Sequence, residues 1–111
     1  MITSNKYQIL ITGATGFIGG RLAQRFVNSR HAVKLLVRDP AKLLPSLRYA
    51  CEVVKGDLSD SRALVRAVQG ANIIFHCAAN VNTWDSWEAY YASNVLGVEN
   101  LLESIAEVRP N

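Results

Sequence analysis

Long apolar runs, cysteine and proline are all scarce in this chain, and each shortage closes off a class of protein. No apolar run approaches the roughly 18 residues that span a bilayer. The N-terminus, "MITSNKYQILITG", holds one lysine and no small-residue cleavage site, so it does not read as a secretory leader; a cytoplasmic location is expected. Cys51 and Cys77 are the only cysteines. Two are too few for a disulfide framework and they form no C-x-x-C pair. Both read as small buried hydrophobes. Two of the three prolines fall within "DPAKLLPSLR", which limits that stretch to turns or a short helix. Acid is short in the N-terminal part. Residues 1 to 66 hold eleven of the twelve Lys and Arg against four acids, and residues 67 to 111 hold one basic residue against five acids. A basic half suits an anionic ligand. The basic residues are scattered, without a basic run or interleaved aromatics, so nucleic acid is not the expected partner.

What is present is the composition of one small globular domain: 111 residues, 50% apolar and 19% charged. No internal repeat or linker interrupts it. "YQILIT" (Tyr7 to Thr12) is a continuous apolar run ending at glycine, as in a strand buried on both faces. "FIGGRLAQRFVNSR" then changes to helical spacing, with Phe17, Ile18, Leu22, Phe26 and Val27 on the predicted apolar face. Ala32 to Arg38 and Cys51 to Asp57 predict a second and third strand. "SDSRALVRAVQG" predicts a helix capped by Ser59 or Asp60 and stopped at Gly70. Asn72 to Ala79 predicts a fourth buried strand. In the last helix Tyr91, Val95, Val98, Leu102 and Ile105 step by four and three, which predicts one shared face. Asp85 and Glu88 have the spacing of its N-terminal capping pair, and Pro110 ends it. Strands alternating with helices predict an α/β fold, a doubly wound parallel sheet with strand order 3-2-1-4 and a ligand at the carboxyl ends of strands 1 and 4.

The stretch "ITGATGFIGG" lies at that point. Gly13 suits the tight turn out of the strand. Gly16 presents no side chain to a pyrophosphate, and Gly19 allows the helix to pack close to the sheet. The amides from Thr15 to Ile18 open the helix and suit an anion. The triphosphatase loop G-x-x-x-x-G-K-[ST] is excluded, because neither Gly13 nor Gly16 has a glycine five places on and no Lys-Ser/Thr follows.

"TGATGFIG" resembles the G-x-x-G-x-x-G signature of the extended short-chain dehydrogenase/reductase family, which includes nucleotide-sugar epimerases and dehydratases. "LLVRDP", "KGDLSD", "IIFHCAA" and "NVLGVENLLE" resemble further segments of that family in the same order, so the likeness covers nearly the whole chain. The run from "HCAA" to "NVLGVENLLE" is most similar to the branch with 3β-hydroxysteroid-dehydrogenase-like and dihydroflavonol-reductase-like members. The resemblance implies an NAD(P)-binding Rossmann fold. It implies that Gly13, Thr15, Gly16, Phe17, Ile18 and Gly19 hold the pyrophosphate, that Asp57 and Leu58 meet the adenine, and that Ala78 and Ala79 line the nicotinamide-side ribose. Without a ligand, Asp57 reads as the cap of a strand-end turn and the two alanines as close packing. Arg38 stands where an acid commonly takes the ribose hydroxyls. Its planar, permanent charge suits a 2′-phosphate and hence NADP, while Asp39 beside it keeps NAD open. Lys42 reads as a solvated lysine or a second cation, His76 as a packed strand residue, His31 as a surface turn residue, and Asn94 as a polar anchor. Trp84, Trp87, Tyr90 and Tyr91 read as aromatic packing at a helix start or as the border of a substrate cavity.

The family's reaction uses a Tyr-x-x-x-Lys pair. Four residues after Tyr7, Tyr49, Tyr90 and Tyr91 come Ile11, Val53, Asn94 and Val95, so no catalytic residue carries over. The expectation is the N-terminal half of a dinucleotide-binding domain, without turnover of its own, from an oxidoreductase or nucleotide-sugar epimerase/dehydratase that binds a small-molecule substrate. A non-catalytic dinucleotide-sensing or interaction module is the alternative. No metal site is expected. Self-association through an exposed edge of the fourth strand is expected.

Overall fold

The computed structural model describes residues 6–78 and 86–108. Four strands, β1 (Gln8–Thr12), β2 (Ala32–Val37), β3 (Glu52–Lys55) and β4 (Ile73–His76), form one parallel sheet in the order β3-β2-β1-β4. This is the predicted 3-2-1-4 arrangement. The helices are α1 (Phe17–Asn28), α2 (Pro45–Ala50), α3 (Ser61–Val68), α4 (Trp87–Tyr91) and α5 (Gly97–Val108). A 3₁₀ turn covers Pro40–Lys42, and one π-helical turn, Ala92–Leu96, joins α4 to α5.

The strand period of two divides the core between the sheet's faces. Ile9 and Ile11 of β1, with Val33, Leu35 and Val37 of β2, pack with Ala23 of α1 and Leu47 of α2. Leu10 and Leu36 point the other way and meet Leu64 and Val68 of α3 and Leu101 of α5. Burying a side chain such as Leu64 or Val68 completely stabilises the fold by about 1.5–3 kcal/mol. Lys34 interrupts the apolar run of β2 yet fits. Its ammonium donates to the carbonyls of Arg66 (2.9 Å) and Gln69 (3.0 Å), neutralising the carbonyl end of α3. Asp60, not Ser59, caps α3, accepting from the Ala63 amide at 3.1 Å. Gly70 follows α3 at φ +76, the left-handed conformation that suits glycine after a helix.

Several expectations shift. The strands are shorter at their ends than the apolar runs suggested, and β4 is half-buried along its length because only β1 pairs with it among the described residues. The buried line of α1 runs through Gly19 and Ala23, with Leu22, Phe26 and Val27 partly buried. Phe17 and Ile18 do not share it; they are 75% and 66% exposed in the first turn, where the Arg21 guanidinium lies 4.7 Å from the centre of the Phe17 ring. The last helix is also rotated from its predicted face. Gly97, Leu101 and Ser104 are buried, with Ile105 partly so, whereas Tyr91, Val95 and Leu102 are exposed. Within α5 the apolar residues Val98, Leu101, Leu102, Ile105 and Val108 fit two overlapping faces, and packing beside α3 selects the one through Leu101, Ile105 and Val108. Ser86 caps α4, accepting from the Ala89 amide at 3.2 Å. Asp85 and Pro110 lie outside the described residues.

Candidate dinucleotide site

The carboxyl ends of β1 and β4 are joined by one hydroxyl. Thr12, buried at the end of β1, places Oγ1 2.7 Å from His76 Nδ1, 3.1 Å from the Cys77 amide and 3.2 Å from the Ala78 amide. Both amides donate, which uses the hydroxyl's two acceptor positions. Its single proton therefore goes to His76 Nδ1, and the imidazole proton sits on Nε2. Burial pushes the His76 pKa down, which keeps the ring neutral, as this arrangement needs. His76 thus has a defined partner as well as its packing role. Burial pushes the Cys51 and Cys77 thiols up, and both are half-buried rather than fully buried. His31 also does more than occupy a turn: Nδ1 accepts from the Tyr7 amide at 3.0 Å, and its ring stacks on Tyr7.

The glycine loop rests on this knot. Gly13 turns at φ +79, and a Cβ there would meet the Ala78 amide nitrogen at 2.6 Å and the Cys77 carbonyl carbon at 2.7 Å. A side chain at Gly13 is therefore excluded both by the turn and by the approach of the segment after β4. A Cβ at Gly19 would collide with the Gly13 carbonyl, so this glycine lets α1 close on its own preceding loop. Gly16 differs. Its backbone is extended (φ −87, ψ 174), and a Cβ would meet only the Gly13 carbonyl oxygen, at 3.4 Å. Its amide is committed to that carbonyl at 3.0 Å, which corrects the expectation of a free N–H at this position. The amides of Thr15, Phe17 and Ile18 are the remaining donors of the loop.

A second part of the site lies at the ends of β2 and β3. Arg38, Lys55, Gly56, Asp57, Ser59 and Asp60 line an open groove of about 430 Å³. Asp57 Oδ1 accepts from the Ser59 amide at 2.8 Å and from the Ser59 hydroxyl. These bonds to Ser59, with a smaller contribution from the Arg38 charge, hold the Asp57 carboxyl below its usual range. Asp39 turns its carboxylate to the Ala41 amide at 3.1 Å and caps the 3₁₀ turn, outside the groove lining. Lys42 is exposed and does not line the groove, while Lys55, which the sequence reading passed over, does. Its signal was its place directly before Gly56–Asp57 at the strand end.

Ala78 is half-buried against the glycine loop, and Ala79 and Trp84 lie outside the described residues. Asn94 is exposed on the π-helical turn. Trp87 and Tyr91 stack at 5.0 Å between ring centres, and both are exposed. The sequence reading also missed Asn100, whose side-chain amide donates to the Leu58 carbonyl at 2.8 Å. Among the described residues, no three His, Cys, Asp or Glu side chains gather as metal ligands, and no helix is long and apolar enough to cross a membrane.

A parallel sheet in this order, with a glycine turn between β1 and α1 at the point where the strand order reverses, defines the dinucleotide-binding unit of a Rossmann-type protein. The chain belongs to the NAD-dependent epimerase/dehydratase family, whose sequence profile matches residues 9–111. It is 37% identical over 93 residues to a putative dihydroflavonol 4-reductase of Synechocystis, covering 83% of this chain and 27% of that protein. It is 34% identical over 110 residues to a 3 beta-hydroxysteroid dehydrogenase/Delta 5→4-isomerase of Mycobacterium tuberculosis, covering 93% and 29%. Among solved structures, MoeE5 in complex with UDP-glucuronic acid and NAD superposes with a TM-score of 0.80 at 29% identity, covering 94% of this chain and 34% of that one. The chain thus spans under a third of the length of these two curated relatives.

Proposed function

We propose that this chain binds a nicotinamide dinucleotide across the carboxyl ends of all four strands, with a preference for NADP over NAD. The observation that carries the reading is the glycine loop. Gly13 and Gly19 are required by the protein's own packing, whereas Gly16 is not, so the missing side chain at Gly16 leaves room for a ligand. The amides of Thr15, Phe17 and Ile18 and the positive end of α1 suit a pyrophosphate there. Phe17 and Ile18, exposed in the first turn, flank it. Asp57 and Leu58 suit the adenine, and Ala78 and Ala79 the ribose on the nicotinamide side. Arg38 in the groove and Asp39 turned away to Ala41 favour a 2′-phosphate.

When bound, such a cofactor accepts or donates a hydride. The residues of this chain bind and orient it, and no Tyr-x-x-x-Lys pair is present among them. For the whole protein we infer an oxidoreductase or nucleotide-sugar epimerase/dehydratase acting on a small molecule.

Calorimetry tests the reading. Gly16→Val should leave the fold intact and abolish dinucleotide binding; unchanged affinity in the folded variant refutes it. Arg38→Ala should remove about 1.5–3 kcal/mol of NADP affinity, roughly ten- to a hundredfold, with little effect on NAD. If the preference persists, another residue reads the phosphate.

A further inference from the structure

We propose that Gly97 and Asn100 of α5 are positioning residues for base recognition, acting through Leu58 to fix the carboxylate of Asp57; this rests on the dinucleotide reading above. The turn that carries Asp57 is tightly organised. The Asp57 carbonyl accepts from the Asp60 amide at 3.1 Å, and Oδ1 is taken by Ser59. Asp57 lines the groove together with Arg38, which places its carboxylate where it meets an exocyclic amino group.

The turn is gripped from behind by α5. Asn100 Nδ2 donates to the Leu58 carbonyl at 2.8 Å. The Leu58 side chain occupies the space beside Gly97, where a Cβ would lie 2.8 Å from Leu58 Cδ1 and 3.1 Å from Leu58 Cβ. Gly97 has ordinary helical angles, φ −60 and ψ −42, so no backbone requirement explains a glycine there. Glycine in a helix costs about 1 kcal/mol relative to alanine, and asparagine is also a poor helix former. Two unfavourable helix residues, three apart and therefore on one face, both contact Leu58. α5 is shaped around this turn at the expense of its own propensity, and the turn is what aims Asp57 into the groove.

The probes are NAD and its hypoxanthine analogue, which differ only at the base. The analogue replaces the amino donor with a carbonyl oxygen that a carboxylate repels. The wild-type protein should prefer NAD by roughly tenfold or more, the worth of one charge-assisted hydrogen bond. Asn100→Ala should lose most of that discrimination while still binding both. Gly97→Ala raises helix propensity and so keeps the fold, but displaces Leu58; it should lower the ratio as well. If both variants bind the two probes more weakly with the ratio unchanged, the role is merely structural and the proposal is overturned. If only Asn100→Ala fails to fold, Gly97→Ala decides alone. A wild-type protein that binds neither probe sinks the dinucleotide reading itself. One that binds both equally removes the role of Asp57 and the proposal with it.

Discussion

Thr12→Val replaces one hydroxyl with a methyl group of nearly the same shape, so it isolates the hydrogen-bond knot between β1 and β4 from core packing. Thr12 is 1% exposed, and its methyl contacts survive the change. The Cys77 amide keeps a partner, because it also donates to the Thr12 carbonyl at 3.1 Å. The Ala78 amide and His76 Nδ1 lose the bonds they make to Oγ1. A lost hydrogen bond costs about 1 kcal/mol net, and a buried group left unpaired costs about 1–3 kcal/mol. Both groups are only half-buried, so water can serve them partly, and the expected loss is about 2–4 kcal/mol. Thr12→Ser is the control. It keeps the hydroxyl and removes one methyl, for about 1 kcal/mol. Urea unfolding followed by circular dichroism reads the difference as a shift in midpoint at constant slope. A Val variant within about 0.5 kcal/mol of wild type, or more stable than the Ser variant, would falsify the assignment of the knot as a stabilising device.

Further expectations concern titration and association. Because burial lowers the folded-state pKa of His76 below the ordinary 6.5, its contribution to stability is complete above that pH and is lost as pH falls through 6.5 toward the folded value. Unfolding midpoints should therefore drop between pH 7.5 and 5.5, and the drop should shrink in His76→Gln; an identical slope in that variant excludes His76 as the cause. β4 pairs with β1 alone among the described residues, so purified residues 1–111 should self-associate along that edge at micromolar concentration. Sedimentation showing a pure monomer with reversible, concentration-independent unfolding counts against this.

The sequence by itself determined the sheet. "QILIT", "AVKLLV", "EVVK" and "IIFH" are short apolar or alternating runs divided by helical segments, and right-handed crossovers between parallel strands leave little choice of order. The turn at Gly13 and the stop at Gly70 were legible because few residues other than glycine adopt their backbone angles. Tertiary structure alone decided which groups meet. Thr12 and His76 are 64 residues apart, and only the pairing of β1 with β4 brings the hydroxyl to the ring. Asn100 and Leu58 are 42 apart and meet because α5 packs beside α3. The face of α5 was illegible for a related reason. Its apolar residues fit two overlapping faces and only packing beside α3 chooses between them, so Leu102 was expected inside and Leu101 is the residue buried. Phe17 and Ile18 misled in the opposite sense: their hydrophobicity fits a core, but they stand in the first turn of α1, directly after the glycine loop, and their side chains remain in solvent.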